Sequence, residues 1–91
     1  MPLLSAETTK HSYKSAESYV LDAATAVKIA ETVLIPIYGK EKIAEEQPLL
    51  AKLKDDVWYV AGSLKPGWIG GVAEIEISKD DGKILRVSHG K

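Results

Sequence analysis

The side chains best placed for acid–base or metal chemistry are Glu74 and Glu76, which alternate with apolar residues in the segment 72–78. In a strand, side chains two positions apart share one face, so both carboxylates lie on the polar face. Paired carboxylates can serve as general acid and base, or bind a divalent cation. The sequence offers no second partner group for either one. We therefore expect a solvated strand face and no catalytic or metal site there.

Histidine chemistry is limited, because the chain has only two histidines, His11 and His89, and no cysteine. The lack of cysteine excludes disulfides, thiol nucleophiles and iron–sulfur clusters, and a histidine metal site would need carboxylates as further ligands. The register of the second hairpin places the His89 side chain on the face of the sheet that packs against the helix. It is then expected to be a satisfied, partly buried side chain and not a ligand or general base. No Ser–His–Asp arrangement can be argued for either histidine.

Two glycine-containing segments invite a cofactor interpretation. Asp80-Asp81-Gly82 resembles part of a calcium loop, but the other ligands and the closing glutamate of an EF-hand are missing. Residues 62–71 contain four glycines and a proline but match neither the dinucleotide nor the P-loop pattern, and they precede a strand. Turn chemistry accounts for the first segment, and an irregular hairpin connection for the second. No cofactor is expected.

The size and net charge of the chain argue against several classes of function. A chain of 91 residues is one domain, buries about 60–65% of its unfolded surface and has little volume for an enclosed pocket. Its net charge of −1 provides no electrostatic surface for nucleic acid or an anionic membrane, and no apolar run is long enough to span a bilayer. The start, residues 1–6, is too short for a signal peptide. We expect the periplasm if an export signal has been removed, and otherwise the cytoplasm.

The N-terminal half predicts a flexible arm over residues 1–18, a short extended piece at 19–21 and an amphipathic helix. Asp22 is a good N-cap. Pro36 predicts that the helix ends or kinks near Leu34, with a further turn to Tyr38 before Gly39 stops it. Residues 40–47 predict a short exposed helical turn closed by Pro48. The apolar stripe that would face a sheet consists of Ala23, Ala26, Val27, Ala30, Leu34 and Ile37.

The C-terminal half has the period of two that is typical of strands. A two-residue loop at Asp55-Asp56 pairs Leu53 with Trp58, Ala51 with Val60 and Leu49 with Gly62 on one face. Trp58 is then a core residue. Lys52 and Tyr59 pair on the opposite face.

A second hairpin follows residues 62–71. A three-residue loop, Asp80-Asp81-Gly82, predicts a type I turn with Gly82 in a left-handed bulge. This register opposes Ile77 to Leu85, Ile75 to Val87 and Ala73 to His89, and it pairs Glu76 with Arg86 on the other face. The expected fold is α+β: one amphipathic helix and a short helical turn on one face of a four-stranded antiparallel meander, all within a single domain over 19–91.

Four segments give the chain a resemblance to a known family. They are TAVKIAE at 25–31, LIPIYG at 34–39, VWYV at 57–60 and GGVAEIEISKDDGKIL at 70–85. From about residue 19 to 91 the chain resembles the NTF2-fold immunity proteins of bacterial polymorphic-toxin and type VI secretion systems. The resemblance implies a small non-enzymatic protein that binds and neutralises a cognate toxin, and it carries over no catalytic residue. Whether the chain also forms a homodimer is left open.

Two alternatives stand beside this interpretation. The helix followed by strands and the acidic turn at 80–85 also resemble a PepSY-type domain, which would imply a binding or inhibitory module of the cell envelope. A small enzyme of the ketosteroid-isomerase type would need an enclosed pocket holding a carboxylate with a shifted pKa.

A helix covers only one face of a sheet, so the polar face is the candidate partner surface. Trp68, in the loop beside Pro66 and Gly67, is the second candidate, because tryptophan is enriched at the centres of binding sites. The expected partner-binding residues are Lys52, Tyr59, Lys65, Trp68, Glu74, Glu76 and Arg86.

Overall fold

Two helices precede four strands in the computed structural model, which describes residues 18–90. The elements are α1 (Ala23–Tyr38), α2 (Lys40–Glu45), β1 (Leu50–Lys54), β2 (Val57–Ala61), β3 (Ala73–Ser78) and β4 (Ile84–His89). The strands form one antiparallel sheet in the order β1-β2-β3-β4, and α1 packs against β1, β2 and β3. The expected helix on a four-stranded meander is confirmed. The predicted arm lies outside the described residues, apart from Ser18.

The start of α1 follows the prediction. The Asp22 carboxylate accepts a hydrogen bond of 2.8 Å from the backbone N–H of Thr25, which holds the pKa of Asp22 below its ordinary value. The buried stripe of the helix consists of Ala26, Ala30 and Leu34, with Val27 partly buried beside it. Ala23 was also expected in this stripe, but it is exposed, because the first turn of the helix lies at the edge of the sheet.

The end of α1 differs from the predicted pattern. The helix continues through Pro36 as far as Tyr38, where Gly39 (φ 98°) donates its N–H to the Ile35 carbonyl. Ile37 was expected in the apolar stripe, but it is 54% exposed. Leu34 is the last fully buried residue of α1, so the final turn of the helix extends past the edge of the sheet.

The first hairpin has the predicted register, with Leu53 opposite Trp58, and Ala51 opposite Val60. Both loop residues adopt left-handed backbone angles, φ 50° at Asp55 and 63° at Asp56, as a two-residue type I′ turn requires. Trp58 is a buried core residue, as expected. Its indole N–H donates to the Val20 carbonyl at 2.9 Å, which joins the extended segment before α1 to the core.

The second hairpin follows the predicted register only in part. Ala73 opposes His89 and Ile75 opposes Val87, as predicted, but Ile77 lies opposite Ile84 and not Leu85. The loop has four residues, 79–82, because the N–H of Ser78 donates to the Lys83 carbonyl. Gly82 is left-handed as expected, with φ 77°. The one-residue shift is absorbed by a bulge between Glu76 and Ile77, which leaves Leu85 as the extra residue and keeps Val87 in register.

The segment that precedes α1 is hydrogen-bonded to the turn of the second hairpin. The backbone N–H groups of Tyr19 and Val20 donate to the carbonyls of Asp80 and Lys79, both at 3.0 Å. The side chain of Val20 is buried in the core. Over residues 18–90, no helix is both long and apolar enough to cross a membrane.

Candidate partner-binding surface

Four of the predicted partner-binding residues form one line across the sheet. Lys52 pairs with Tyr59, Tyr59 with Glu76, and Glu76 with Arg86, so each of the four strands contributes one residue. We call these four residues the polar row, and we call the sheet face that carries them the open face, because α1 packs on the opposite face. Glu74 lies on the same face in the next line of pairs, between Ala61 and Ser88.

Arg86 is held between two carboxylates. Its Nε lies 2.6 Å from Oε2 of Glu76, its Nη2 lies 3.3 Å from Oε1 of Glu74, and its Nη1 donates to the Ser88 hydroxyl at 2.8 Å. The hydrogen bond to Glu76, followed by that to Glu74, raises the pKa of Arg86 above its ordinary value. The guanidinium therefore has one fixed orientation on the open face. Glu74 and Glu76, expected to be solvated, are partners in this cluster.

The open face also carries apolar surface and an uneven charge. Leu50 is among the exposed large hydrophobic residues and lies opposite Ala61 on this face, beside the half-exposed ring of Tyr59. The alternation of the first strand indicated this position for Leu50, but it was not among the predicted site residues. Within residues 18–90, Lys52 and Lys54 make no ion pair. The β1 side of the face is therefore cationic, whereas the Glu–Arg–Glu cluster on β3 and β4 carries a net negative charge.

The loop that joins β2 to β3, residues 62–72, is called the Trp68 loop here. The Trp68 side chain is 55% exposed, and Nζ of Lys65 lies 5.2 Å from its ring centroid. A cation over an indole face at an exposed site contributes roughly 0.5–1 kcal/mol. Ile69, which was not among the predicted residues, is 99% exposed beside Trp68. Lys65 and Trp68 thus contact each other on the loop, whereas the other five predicted residues lie on the strands.

Glu46 anchors the Trp68 loop at the core. The side chain of this C-cap residue of α2 is buried, and its Oε1 accepts a 2.7 Å hydrogen bond from the N–H of Ala73 at the start of β3. The backbone carbonyl of Glu46 accepts another 2.7 Å bond from the N–H of Ser63. A Cβ atom at residue 62 would collide with the Glu46 carboxylate, so this close approach requires Gly62. Residues 40–47 were expected to be exposed, which is wrong for Glu46 and for the buried Ile43.

His89 faces inward, as its register predicted, and Glu46 is the partner that the sequence did not reveal. Nε2 of His89 lies 2.8 Å from Oε2 of Glu46, and Nδ1 lies 2.7 Å from the Gly90 carbonyl oxygen. The hydrogen bond to Glu46 and then that to Gly90 raise the pKa of His89, while burial and the charge of Lys42 oppose the rise. The Tyr38 ring packs against the imidazole with a centroid distance of 5.0 Å.

The structure does not place Glu46 as an enzymatic carboxylate would be placed. Its two oxygens already accept from Ala73 and His89, whereas a catalytic carboxylate must face its substrate. A surface groove at the α1–α2 junction and another between α1 and β1 are both lined by residues other than Glu46 and His89. The same residues contain no group of three or more His, Asp or Glu side chains that could hold a metal ion.

Comparison with known proteins gives the class. The model of the family described as "NTF2 fold immunity protein" matches residues 25–91, which include α1 except its first two residues, the whole sheet, the polar row and the Trp68 loop. The chain therefore belongs to the NTF2-fold immunity protein family, as the four sequence segments indicated. Membership of this family supports an immunity role in general.

Two curated relatives come from Escherichia coli K12. The chain is 38% identical to "Uncharacterized protein YhhH" over 73 residues, 79% of this chain and 58% of that protein. It is 35% identical to "Uncharacterized protein YbbC" over 78 residues, 85% of this chain and 64% of that protein. The chain thus spans about three fifths of the length of these relatives. No solved structure matches the chain significantly.

Proposed function

We propose that this chain neutralises a cognate bacterial toxin by binding it through the open face and the Trp68 loop, so that the toxin's active site is occluded. The observation that carries the proposal is the polar row, which brings Lys52, Tyr59, Glu76 and Arg86 from four strands onto the face that α1 leaves uncovered. Family membership supplies the class of partner.

The open face has the properties of a binding surface that is already organised before the partner arrives. Its side chains stand on hydrogen-bonded strands, and the guanidinium of Arg86 is fixed by Glu74 and Glu76. Little conformational entropy is then lost when a partner binds, which favours affinity. Tyrosine, arginine and tryptophan are also the residues most enriched among those that dominate binding energy.

Charge gives the proposed surface its selectivity. The cationic β1 side favours acidic groups on the toxin, and the acidic cluster on β3 and β4 favours basic groups. Such a pattern speeds association with a complementary partner and disfavours partners with the reverse pattern. The toxin in this proposal is one that a polymorphic-toxin or type VI secretion system delivers into neighbouring cells.

The experiment measures affinity for the toxin encoded beside this chain, by calorimetry. Trp68→Ala and Glu76→Lys should each weaken binding by at least about 2 kcal/mol, roughly thirtyfold in Kd, because one removes an exposed anchor and the other reverses a charge within the polar row. Both variants should keep the wild-type Tm within a few degrees, since Trp68 is more than half exposed and Glu76 is a partly exposed residue of the open face, outside the core.

The matched controls are Ile37→Ala and Glu41→Lys, which remove an exposed apolar residue and reverse an exposed acidic charge on the helices. We expect neither control to change the affinity. Unchanged binding by both Trp68→Ala and Glu76→Lys, or equal losses in the controls, would show that the toxin binds elsewhere.

A further inference from the structure

We propose that Glu46 is a positioning residue for the Trp68 loop, and that the proton on His89 controls how firmly Glu46 holds that loop. This role concerns the base of the loop, whereas the proposed function concerns its exposed tip. Its consequence for toxin binding rests on the proposed function, but its consequence for the loop does not.

Both ends of the Trp68 loop meet at Glu46. At the first end, the N–H of Ser63 donates to the backbone carbonyl of Glu46, and Gly62 packs against the carboxylate. At the second end, the N–H of Ala73 donates to Oε1 of the same residue. One buried residue at the end of α2 therefore fixes the distance between the two ends of the loop.

His89 holds the other oxygen of this carboxylate from β4. It pairs with Ala73 across the β3–β4 ladder, and the N–H of Gly90 donates to the Val72 carbonyl at 3.2 Å. His89 is thus attached to the same end of the loop that Glu46 holds through Ala73. The carboxylate and the imidazole form one partly buried contact between α2 and the C-terminal strand.

The contacts of the imidazole favour its doubly protonated form. Nε2 faces the Glu46 carboxylate and Nδ1 faces the Gly90 carbonyl, and both are acceptors. Only an imidazolium carries a proton on each nitrogen and can donate to both. A neutral ring could donate to only one of these oxygens and would place a lone pair against the other, which is repulsive.

The other charged and titratable groups near Glu46 and His89 do not cancel the preference of His89 for its protonated form. Lys42 of α2 has its Nζ 3.9 Å from Oε2 of Glu46, so its charge disfavours the His89 proton, but the carboxylate is nearer to the imidazole. Tyr38 of α1 contributes a tilted ring. From β3 the contact is the backbone N–H of Ala73, which is not titratable.

Loss of the His89 proton should therefore loosen the base of the loop. Because the pKa of His89 is raised in the folded protein, the contribution of the contact is complete below its ordinary value of 6.5 and is lost as pH rises through the raised value. Where the Trp68 loop binds the toxin, affinity should fall over the same pH range.

The test is an NMR titration of the full chain from about pH 5 to 9, in a His11→Gln background so that His89 is the one histidine that titrates. The backbone N–H signals of Ser63 and Ala73 and the indole N–H of Trp68 should follow one transition, with the same midpoint as the His89 ring and above pH 6.5. Hydrogen exchange at Ala73, corrected for its intrinsic pH dependence, should accelerate severalfold across that midpoint, because the His89 contact to Glu46 weakens there.

Variants separate positioning from general stability. Glu46→Gln should lower the His89 midpoint, because a neutral amide replaces the carboxylate that faces the imidazole, and it should uncouple the loop signals from that midpoint. His89→Gln should abolish the transition, which keeps the test valid if Glu46→Gln does not fold. Glu45→Gln, an exposed neighbour on α2, should leave the midpoint and the coupling unchanged.

The outcomes separate this proposal from the proposed function. Loop signals that stay fixed through the His89 transition, or that move equally in His89→Gln, would overturn the positioning role and leave the toxin-binding surface intact. A loop that titrates while toxin affinity stays constant with pH would support the positioning role and remove the Trp68 loop from the binding surface.

Discussion

Leu34 and Ile37 show how the position of a single side chain decides its energetic role. Both are aliphatic and lie one turn apart on α1, but Leu34 is fully buried, whereas Ile37 is about half exposed. The burial of Leu34 removes its whole side chain from water and places it against the sheet. The Ile37 side chain stays in contact with solvent, so the two residues should differ greatly in their contribution to stability.

We expect Leu34→Ala to lower the free energy of unfolding by about 2–5 kcal/mol, because it removes buried methyl groups and leaves a cavity. Ile37→Ala on the same helix should cost less than about 1 kcal/mol, since about half of its side chain is already exposed to solvent. Urea denaturation followed by circular dichroism measures both. Equal losses for the two variants would contradict the burial seen here.

At the scale of elements, turn geometry sets how the strands pair. The two-residue loop at Asp55 and Asp56 has both residues in left-handed conformations, whereas the turn before β4 has glycine, Gly82, at its left-handed position. Aspartate tolerates this conformation better than most residues, but it still carries strain that glycine does not. The first turn thus has the geometry of a tight hairpin without its most favourable residues.

Asp56→Gly should therefore stabilise the chain by about 0.5–1 kcal/mol, because Asp-Gly is a preferred type I′ pair. The backbone carbonyl of residue 56, which accepts from the N–H of Lys79, is retained. The matched control is Asp80→Gly in the second turn, where φ is not positive and added glycine freedom should lower stability. A lower Tm for Asp56→Gly would contradict the turn geometry.

At the scale of the whole molecule, two titrating side chains stabilise opposite ends of the helical layer. Asp22 caps the start of α1, and His89 holds the end of α2 through Glu46. The lowered pKa of Asp22 makes its contribution present above its ordinary value of 3.8 and lost as pH falls through the lowered value. The contribution of His89 has the opposite sign and is lost on the alkaline side.

The free energy of unfolding should accordingly be highest between pH 3.8 and pH 6.5 as far as these two groups are concerned. Asp22→Asn keeps a good N-cap and removes its charge, so it should flatten the acid side of the profile alone. His89→Gln should flatten the alkaline side alone. Thermal unfolding across pH measures both, and an alkaline side that persists in His89→Gln would contradict the assignment.

The sequence by itself determined the features that depend on neighbours along the chain. The Asp22 cap, the Asp55-Asp56 turn and the alternation of the strands are local, so α1, the first hairpin and its register could be derived from residue types and spacing. The same arithmetic paired Lys52 with Tyr59 and Glu76 with Arg86, which are the two halves of the polar row.

Tertiary structure alone decided how these local pieces meet. It joined the halves of the polar row by pairing Tyr59 with Glu76, and it turned the Glu46 carboxylate inward toward Ala73 and His89. It also moved the register by one residue at Leu85. Each of these depends on which distant elements are packed together and on where a buried polar group finds its partner, and no periodicity along the chain encodes that choice.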